Sequence, residues 1–255
     1  MKSVLLAGGL GTRLREETEV RPKPMIEIGN RPILWHLMNI YSASGFSEFI
    51  ICAGYKSEII KQYFSSPIIM SNDFQINYTK TLTPTLLDDD LPKWDVIVSD
   101  TGHSTMTGGR INRIKKYVRD ERFFCTYGDG LADIDLKELL DFHRDQKTVA
   151  TITAVHPTSR FGQLKIDEEG RVGEFSEKPT THDWINGGFF VFEPEIFDFL
   201  NDDCVLEADV LPLLAQSGQL SAYKHEGFWQ PMDTYRESKL LNQLWSDGNA
   251  PWKIW

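Results

Sequence analysis

Three glycines in four positions, directly after a short apolar run, constrain this chain most. Val4-Leu5-Leu6-Ala7 reads as a buried strand, and Gly8-Gly9-Leu10-Gly11-Thr12 as the tight loop that leaves it. Glycine lets backbone N–H groups come close to a bulky group. The positive end of the turn or helix that follows adds attraction for an anion. Arg13 and Lys23 flank the loop as fixed cations. A strand, a glycine loop and two cations together suit a triphosphate. The spacing fits neither common phosphate fingerprint. Gly9-Leu10-Gly11 is followed by Thr12, Arg13 and Leu14, so G-x-G-x-x-G lacks its third glycine, and no G-x-x-x-x-G-K-[ST] run occurs. On spacing alone, an ordinary strand-to-helix turn also stands.

A length of 255 residues with 41% hydrophobic content fits one large α/β domain, or one with a small appendage. A net charge of −10 argues against non-specific nucleic-acid binding, but a local cationic pocket can still take a nucleotide. Cys52, Cys125 and Cys204 are odd in number and widely spaced, which points to reduced, buried thiols and a cytoplasmic location. The six histidines form no H-x-x-x-H and no Cys/His cluster, which argues against zinc. The start of the chain carries no signal-peptide pattern and no apolar stretch reaches spanning length, so no membrane role is expected.

In chain order, residues 32–44 read as a helix, 48–53 as a strand and 57–64 as a helix. This is the rhythm of a parallel sheet with right-handed crossovers. Residues 65–99 break it and read as an insertion, a hairpin or subunit contact, with strands near Phe74–Thr79 and Val96–Val98. Asp88–Asp90 read as a solvated loop rather than metal ligands, because adjacent side chains cannot all face one ion. Gly108-Gly109 reads as a second glycine loop, with Arg110 offering a planar donor fork and a helix over Ile111–Tyr117. Phe123–Tyr127 reads as a strand that ends in Gly128-Asp129-Gly130. An aspartate flanked by glycines at a strand exit is a candidate Mg²⁺ ligand, or a turn residue. Asp133 and Asp135 read as cap and surface residues. A helix over Leu136–Gln146, a strand over Val149–Val155 and helices over Val205–Gln216 and Tyr235–Ser246 follow. The tail holds Trp252 and Trp255, expected to pack on the body or on a sister subunit.

GGLGTR followed by RPKPMIEIGNRPIL resembles the signature of the sugar-1-phosphate nucleotidyltransferases. The resemblance implies an α/β fold: a Rossmann-like, mostly parallel mixed sheet flanked by helices, as one domain over 1–255 with an inserted hairpin-like region. The wording T-G-G-R and W-Q-P-M-D-T is similar to the cytidylyltransferase branch. That branch implies CTP and α-D-glucose 1-phosphate as substrates, CDP-glucose and pyrophosphate as products, Mg²⁺ as cofactor, and a homo-oligomer. Carried over residue by residue, it implies that Arg13 and Lys23 are catalytic and that Asp129 and Asp233 hold the metal. Leu6, Ala7, Gly8, Gly9, Leu10, Gly11, Thr12 and Gly128 would line the nucleotide, with Thr105 and Arg110 at the base and ribose–phosphate. Gly162, Glu177, Lys178, Asn186 and Gly188 would meet the sugar phosphate. Three alternatives stay open: a uridylyl- or thymidylyltransferase, a non-catalytic nucleotide-sugar-binding module, and a NAD oxidoreductase, against which the missing glycine counts.

Overall fold

The computed structural model describes residues 1–65, 73–79, 81–118, 120–158, 161–177 and 183–255 except 87–91, and the side chains of residues 13, 15, 16, 74 and 81–86 are outside the description. Among the described residues, seven strands form one sheet. Their order is Leu220–Lys224, Ala150–Val155, Ile185–Phe192, Phe123–Tyr127, Ser3–Ala7, Glu48–Ala53 and Asp95–Asp100. Every neighbouring pair is parallel except the two made by Ile185–Phe192, which runs against the rest.

The central strands are apolar on both faces because helices cover both. Leu5, Ala7, Phe49, Ile51 and Phe124 point into one core with the Ile33–Ala43 and Leu136–Gln146 helices. Val4, Leu6, Ile50, Cys52, Phe123 and Cys125 point into the other, with Ile111, Leu206 and Leu214. This alternation is the two-residue period of a strand, and double coverage is what parallel strands need. All three cysteines are free and buried. Burial pushes the Cys52 thiol up to about 12, so it stays protonated.

Local signals set the element ends. Asp135 caps the Leu136–Gln146 helix, its side chain accepting from the N–H groups of Lys137 and Glu138. Thr234 and Glu237 form a capping box on the Tyr235–Ser246 helix. Four expectations change. Gly108 and Gly109 are not a loop but lie inside the Thr107–Arg113 helix. A Cβ on Gly108 would meet the Cys204 sulphur, and one on Gly109 the Asp202 carbonyl, so these glycines serve close packing. The expected Ile111–Tyr117 helix is in fact Thr107–Arg113 followed by a short Lys115–Val118 helix. The expected Val205–Gln216 helix begins as a wide π turn over Leu206–Val210, then becomes α over Leu211–Gln216. Pro212 has no N–H to donate back to Ala208, which breaks the α ladder there. Asp133 is half-buried, with His225 Nε2 3.0 Å from its Oδ1, rather than a surface residue.

Much of the expected insertion, including Asp88–Asp90, lies outside the described residues. Its described part holds a Phe74–Asn77/Thr81–Leu86 strand pair, and Asp95–Asp100 is the edge strand of the main sheet. Among the described residues, no helix is long and apolar enough to cross a membrane.

The tail packs on the body. Trp252 is fully buried, stacked on Phe228 and Trp245 at centroid distances of 5.7 and 6.4 Å. Its indole N–H donates to His36 Nδ1 at 3.3 Å, and His36 Nε2 lies 2.9 Å from the Ile28 carbonyl. An indole only donates, so His36 must be the neutral tautomer with its proton on Nε2. Burial holds His36 down at about 4, against an ordinary 6.5. The unfolded chain therefore takes up a proton below 6.5 that the folded chain refuses, and stability falls as pH drops from 6.5 toward 4. The share lost at this one residue is about 3 kcal/mol. Urea unfolding across that window should show His36→Phe less stable than the parent at neutral pH but with a flatter pH slope. Parallel slopes for the two proteins would remove His36 as the source.

Candidate active site

The strands Ser3–Ala7 and Phe123–Tyr127 are neighbours, and the chain winds outward from them in opposite directions. Ligands of open α/β sheets bind beyond the carboxyl ends of strands at such a switch. A cavity of about 600 Å³ opens there. Its wall includes Leu6, Gly8, Gly9, Gly11, Thr12, Lys23, Thr105, Arg110, Gly128, Asp129, Asn186, Gly188 and Asp233. These thirteen expected residues come from distant parts of the chain and meet on one surface.

The glycine loop is held from behind by Arg110, which is buried. Its Nη2 donates to the Gly8 carbonyl at 2.8 Å, and its Nη1 to Thr101 Oγ1 and the Gly102 carbonyl, both at 2.8 Å. Longer bonds of 3.4 Å reach the Ala53 and His103 carbonyls. A planar five-donor fork suits this convergence of loop carbonyls. Arg110 thus differs from the expected free fork for ribose and phosphate: its guanidinium is spent on the protein. A Cβ on Gly8 would run into Arg110 Nη1, so a larger residue there displaces the guanidinium. Gly11 has a left-handed φ of 63°.

Lys23 stands in front of the loop. Its Nζ lies 2.5 Å from Asp129 Oδ2 and 2.6 Å from Asp233 Oδ1. Asp129 follows the Phe123–Tyr127 strand through Gly128, whose N–H donates to the Leu6 carbonyl at 3.1 Å. A Cβ on Gly128 would meet that carbonyl at 2.8 Å. Asp233 is brought in by Trp229–Pro231, which pairs with Gly130–Ala132, and by the Met232 N–H donating to the Asp129 carbonyl at 2.8 Å. Glu237 then fixes the Asp233 backbone, accepting its N–H at 2.7 Å. Burial pulls the Lys23 ammonium down, but the Asp129 and Asp233 carboxylates outweigh it, and the net shift is upward. Lys23 is a permanent cation.

Among the described residues, no group of three or more His, Cys, Asp or Glu side chains could hold a metal ion. Asp129 and Asp233 are two, and both aim at one cation. Two hard carboxylates fit Mg²⁺, which takes one or two and completes its shell with phosphate oxygens and water.

Residues 2–247 match the family described as Nucleotidyl transferase. The chain belongs to the nucleotidyl transferase family. Proteins named glucose-1-phosphate cytidylyltransferase from Salmonella typhi and Salmonella typhimurium are each 49% identical to it over 258 residues, covering 100% of both chains. The crystal structure of HddC from Yersinia pseudotuberculosis matches in fold, with a TM-score of 0.70 at 24% identity, over 96% of this chain and 99% of that one.

Not every site residue inferred for this nucleotidyl transferase reaches the cavity. Ala7 is fully buried and Leu10 turns outward. Gly162 and Glu177 lie beside the exposed Gln163–Ile166/Val172–Ser176 hairpin, outside the cavity wall. The Arg13 side chain and the whole of Lys178 are outside the described residues. Sequence reasoning missed Met106, Thr107 and Tyr127, which the wall includes. Tyr127 immediately precedes Gly128-Asp129, and that position alone could have signalled it. Trp229 donates its indole N–H to the Gly187 carbonyl at 2.8 Å, a role with no sequence signature.

The Gly8–Arg110 contact carries a direct test. Gly8→Ala should expel the guanidinium and leave several carbonyls unpaired. The expected loss is about 2–4 kcal/mol, read by calorimetry as a drop in Tm on the order of 5–10 °C. An unchanged Tm would show that Arg110 is not the loop's anchor.

Proposed function

We propose that the protein transfers the cytidylyl group of CTP to α-D-glucose 1-phosphate, releasing pyrophosphate and CDP-D-glucose. The observation that carries the proposal is the Lys23 ammonium held between Asp129 and Asp233 against the glycine loop. The full-length relatives named for this reaction support the choice of base and sugar.

The nucleophile is a phosphate oxygen of the sugar phosphate. The second pKa of a phosphomonoester is about 6, so no protein base is needed at neutral pH. That oxygen attacks the α-phosphorus of CTP. One P–O bond forms while the bond bridging the α- and β-phosphorus breaks, and its electron pair leaves on pyrophosphate. The obstacle is the approach of two anions, so catalysis is alignment and charge neutralisation.

In this reading the N–H groups of Gly9, Gly11 and Thr12, with Arg13, take the leaving pyrophosphate. Lys23 stabilises charge at the α-phosphoryl group. Asp129 and Asp233 would hold the magnesium ion, which when bound neutralises phosphate charge. Lys178 would steer the sugar phosphate. Thr105 Oγ1 accepts from Arg113 Nη1 at 2.9 Å, so its own proton can be offered to the cavity. A donor there suits the unprotonated N3 of cytosine. A homo-oligomer belongs to the same reading, supported by the exposed Leu164, Ile166, Val172 and Phe175 on one hairpin.

Pyrophosphate release should be measured with glucose 1-phosphate, Mg²⁺ and each of the four nucleoside triphosphates. CTP should be the preferred donor, and a chelator should stop turnover. Release with UTP or dTTP but not CTP would reassign the base, and no release with any would end the proposal. Asp129→Ala should fold, by circular dichroism, and lose roughly 10²–10³ in kcat. Lys23→Ala should lower kcat far more than it raises the Kd for CTP. A kcat near the parent's in either variant would remove that residue from the chemistry.

A further inference from the structure

Glu207 is not among the residues lining the cavity, yet its carboxylate ties two of its sides together. Its Oε2 accepts from the Thr107 hydroxyl at 2.7 Å, and its Oε1 accepts from the Tyr127 hydroxyl. Thr107 in turn accepts the Leu206 N–H at 2.9 Å, which fixes the carboxylate's own segment, the wide turn over Leu206–Val210. Such turns recur at functional sites. Thr107, Tyr127 and Asn186 all line the cavity.

The chain of bonds has one direction. A carboxylate only accepts, so Tyr127 must donate to Glu207. Burial and the neighbouring Glu207 charge both raise the Tyr127 phenol, which keeps that proton in place. The phenol oxygen then accepts from Asn186 Nδ2 at 3.2 Å, and Asn186 Oδ1 accepts the Gly188 N–H at 2.9 Å. Both ends of the Asn186 amide are thereby assigned, and its second N–H proton is the one left for the cavity. Gly188 sits at a left-handed φ of 82°, and a Cβ there would run into the Tyr127 ring. The three residues fit as one unit.

Strand order says which substrate that proton meets. Along the sheet edge the order is Ile185–Phe192, Phe123–Tyr127, Ser3–Ala7, Glu48–Ala53, Asp95–Asp100. The glycine loop and Thr105 occupy one flank of Asp129, and Asn186 occupies the other. With the triphosphate on the loop, Asn186 faces the acceptor sugar.

We propose that Glu207 is a positioning residue: through Tyr127 it fixes the Asn186 amide so that an N–H, not a carbonyl, meets an oxygen of the acceptor sugar phosphate. This rests on the reading of the cavity given above. In Glu207→Gln the side-chain amide can donate as well as accept. Tyr127 can then reverse its hydroxyl, and the Asn186 amide loses its fixed orientation.

Initial rates of CDP-glucose formation test it, for the parent, Glu207→Gln, Tyr127→Phe and the double variant. Glu207→Gln should raise KM for glucose 1-phosphate about tenfold, the worth of one hydrogen bond, with a smaller fall in kcat and little change in KM for CTP. Tyr127→Phe breaks the same link, so the double variant should be no worse than the poorer single one. Among the 2-, 3-, 4- and 6-deoxy analogues of glucose 1-phosphate, one should be discriminated against by the parent and much less by Glu207→Gln. An unchanged KM for the sugar phosphate, equal rises for both substrates, or additive losses in the double variant would overturn the assignment while the cavity reading stands. A parent that makes no CDP-glucose overturns both, since there is then no acceptor sugar to position.

Discussion

One ammonium group between two carboxylates organises the active end of this protein. Lys23 is 106 positions from Asp129 and 210 from Asp233, yet its Nζ contacts both. Two carboxylates drawn to one partly buried spot repel each other, and a unit charge pair at 4 Å is worth about 4 kcal/mol at an effective dielectric of 20. Without a cation the exit of the Phe123–Tyr127 strand and the entry to the last helix would be pushed apart. The desolvation of Lys23 offsets part of the attraction, so this triad is better understood as a device for register than for stability. It selects the arrangement in which three distant segments face one point.

The same site shows how an acidic protein places cations on both sides of a glycine loop. The formal charge is −10, and at the site two cations, Lys23 and Arg110, stand with two carboxylates, Asp129 and Asp233. Arg110 is behind the loop and Lys23 in front of it. Arg110 donates to backbone carbonyls from three successive strand exits, those after Ser3–Ala7, Glu48–Ala53 and Asp95–Asp100. Drawing the carbonyls back leaves the loop N–H groups for the cavity. Loop rigidity is thus set before any substrate arrives, which is the preorganisation that electrostatic catalysis needs.

How much of this was legible depended on the range of each interaction. The strands at Ser3–Ala7, Glu48–Ala53 and Phe123–Tyr127 were readable because both of their faces are buried, which leaves an unbroken apolar run in sequence. The helix starting near Ile33 and the Asp135 cap were readable because their causes are local. Arg110 was read as a donor for ribose and phosphate, while in the structure it donates to backbone carbonyls that no sequence motif announces. Gly108 and Gly109 read in sequence as a second glycine loop and are in fact close-packing positions in a helix, set by Cys204 and Asp202 almost a hundred residues on. That Lys23, Asp129 and Asp233 share one site was legible only through the family motif, and the ammonium lying between the two carboxylates was not expected at all, since nothing in the separations 106 and 210 predicts contact.

The reversed strand gives the last constraint. In an all-parallel sheet every strand would offer its carboxyl end to the cavity, and the wall would consist of strand exits. Ile185–Phe192 runs the other way, so it offers its beginning, Asn186-Gly187-Gly188. A strand start presents a different pattern of unpaired backbone groups from a strand exit. The Gly187 carbonyl takes the Trp229 indole, and the Gly188 N–H takes the Asn186 side chain. These bonds hold the wall on one flank of Asp129, while Arg110 holds the glycine loop on the other. Two substrates that differ in shape call for two walls of different chemistry facing one gap. A sheet with a single reversed strand beside its switch point supplies both walls from one edge.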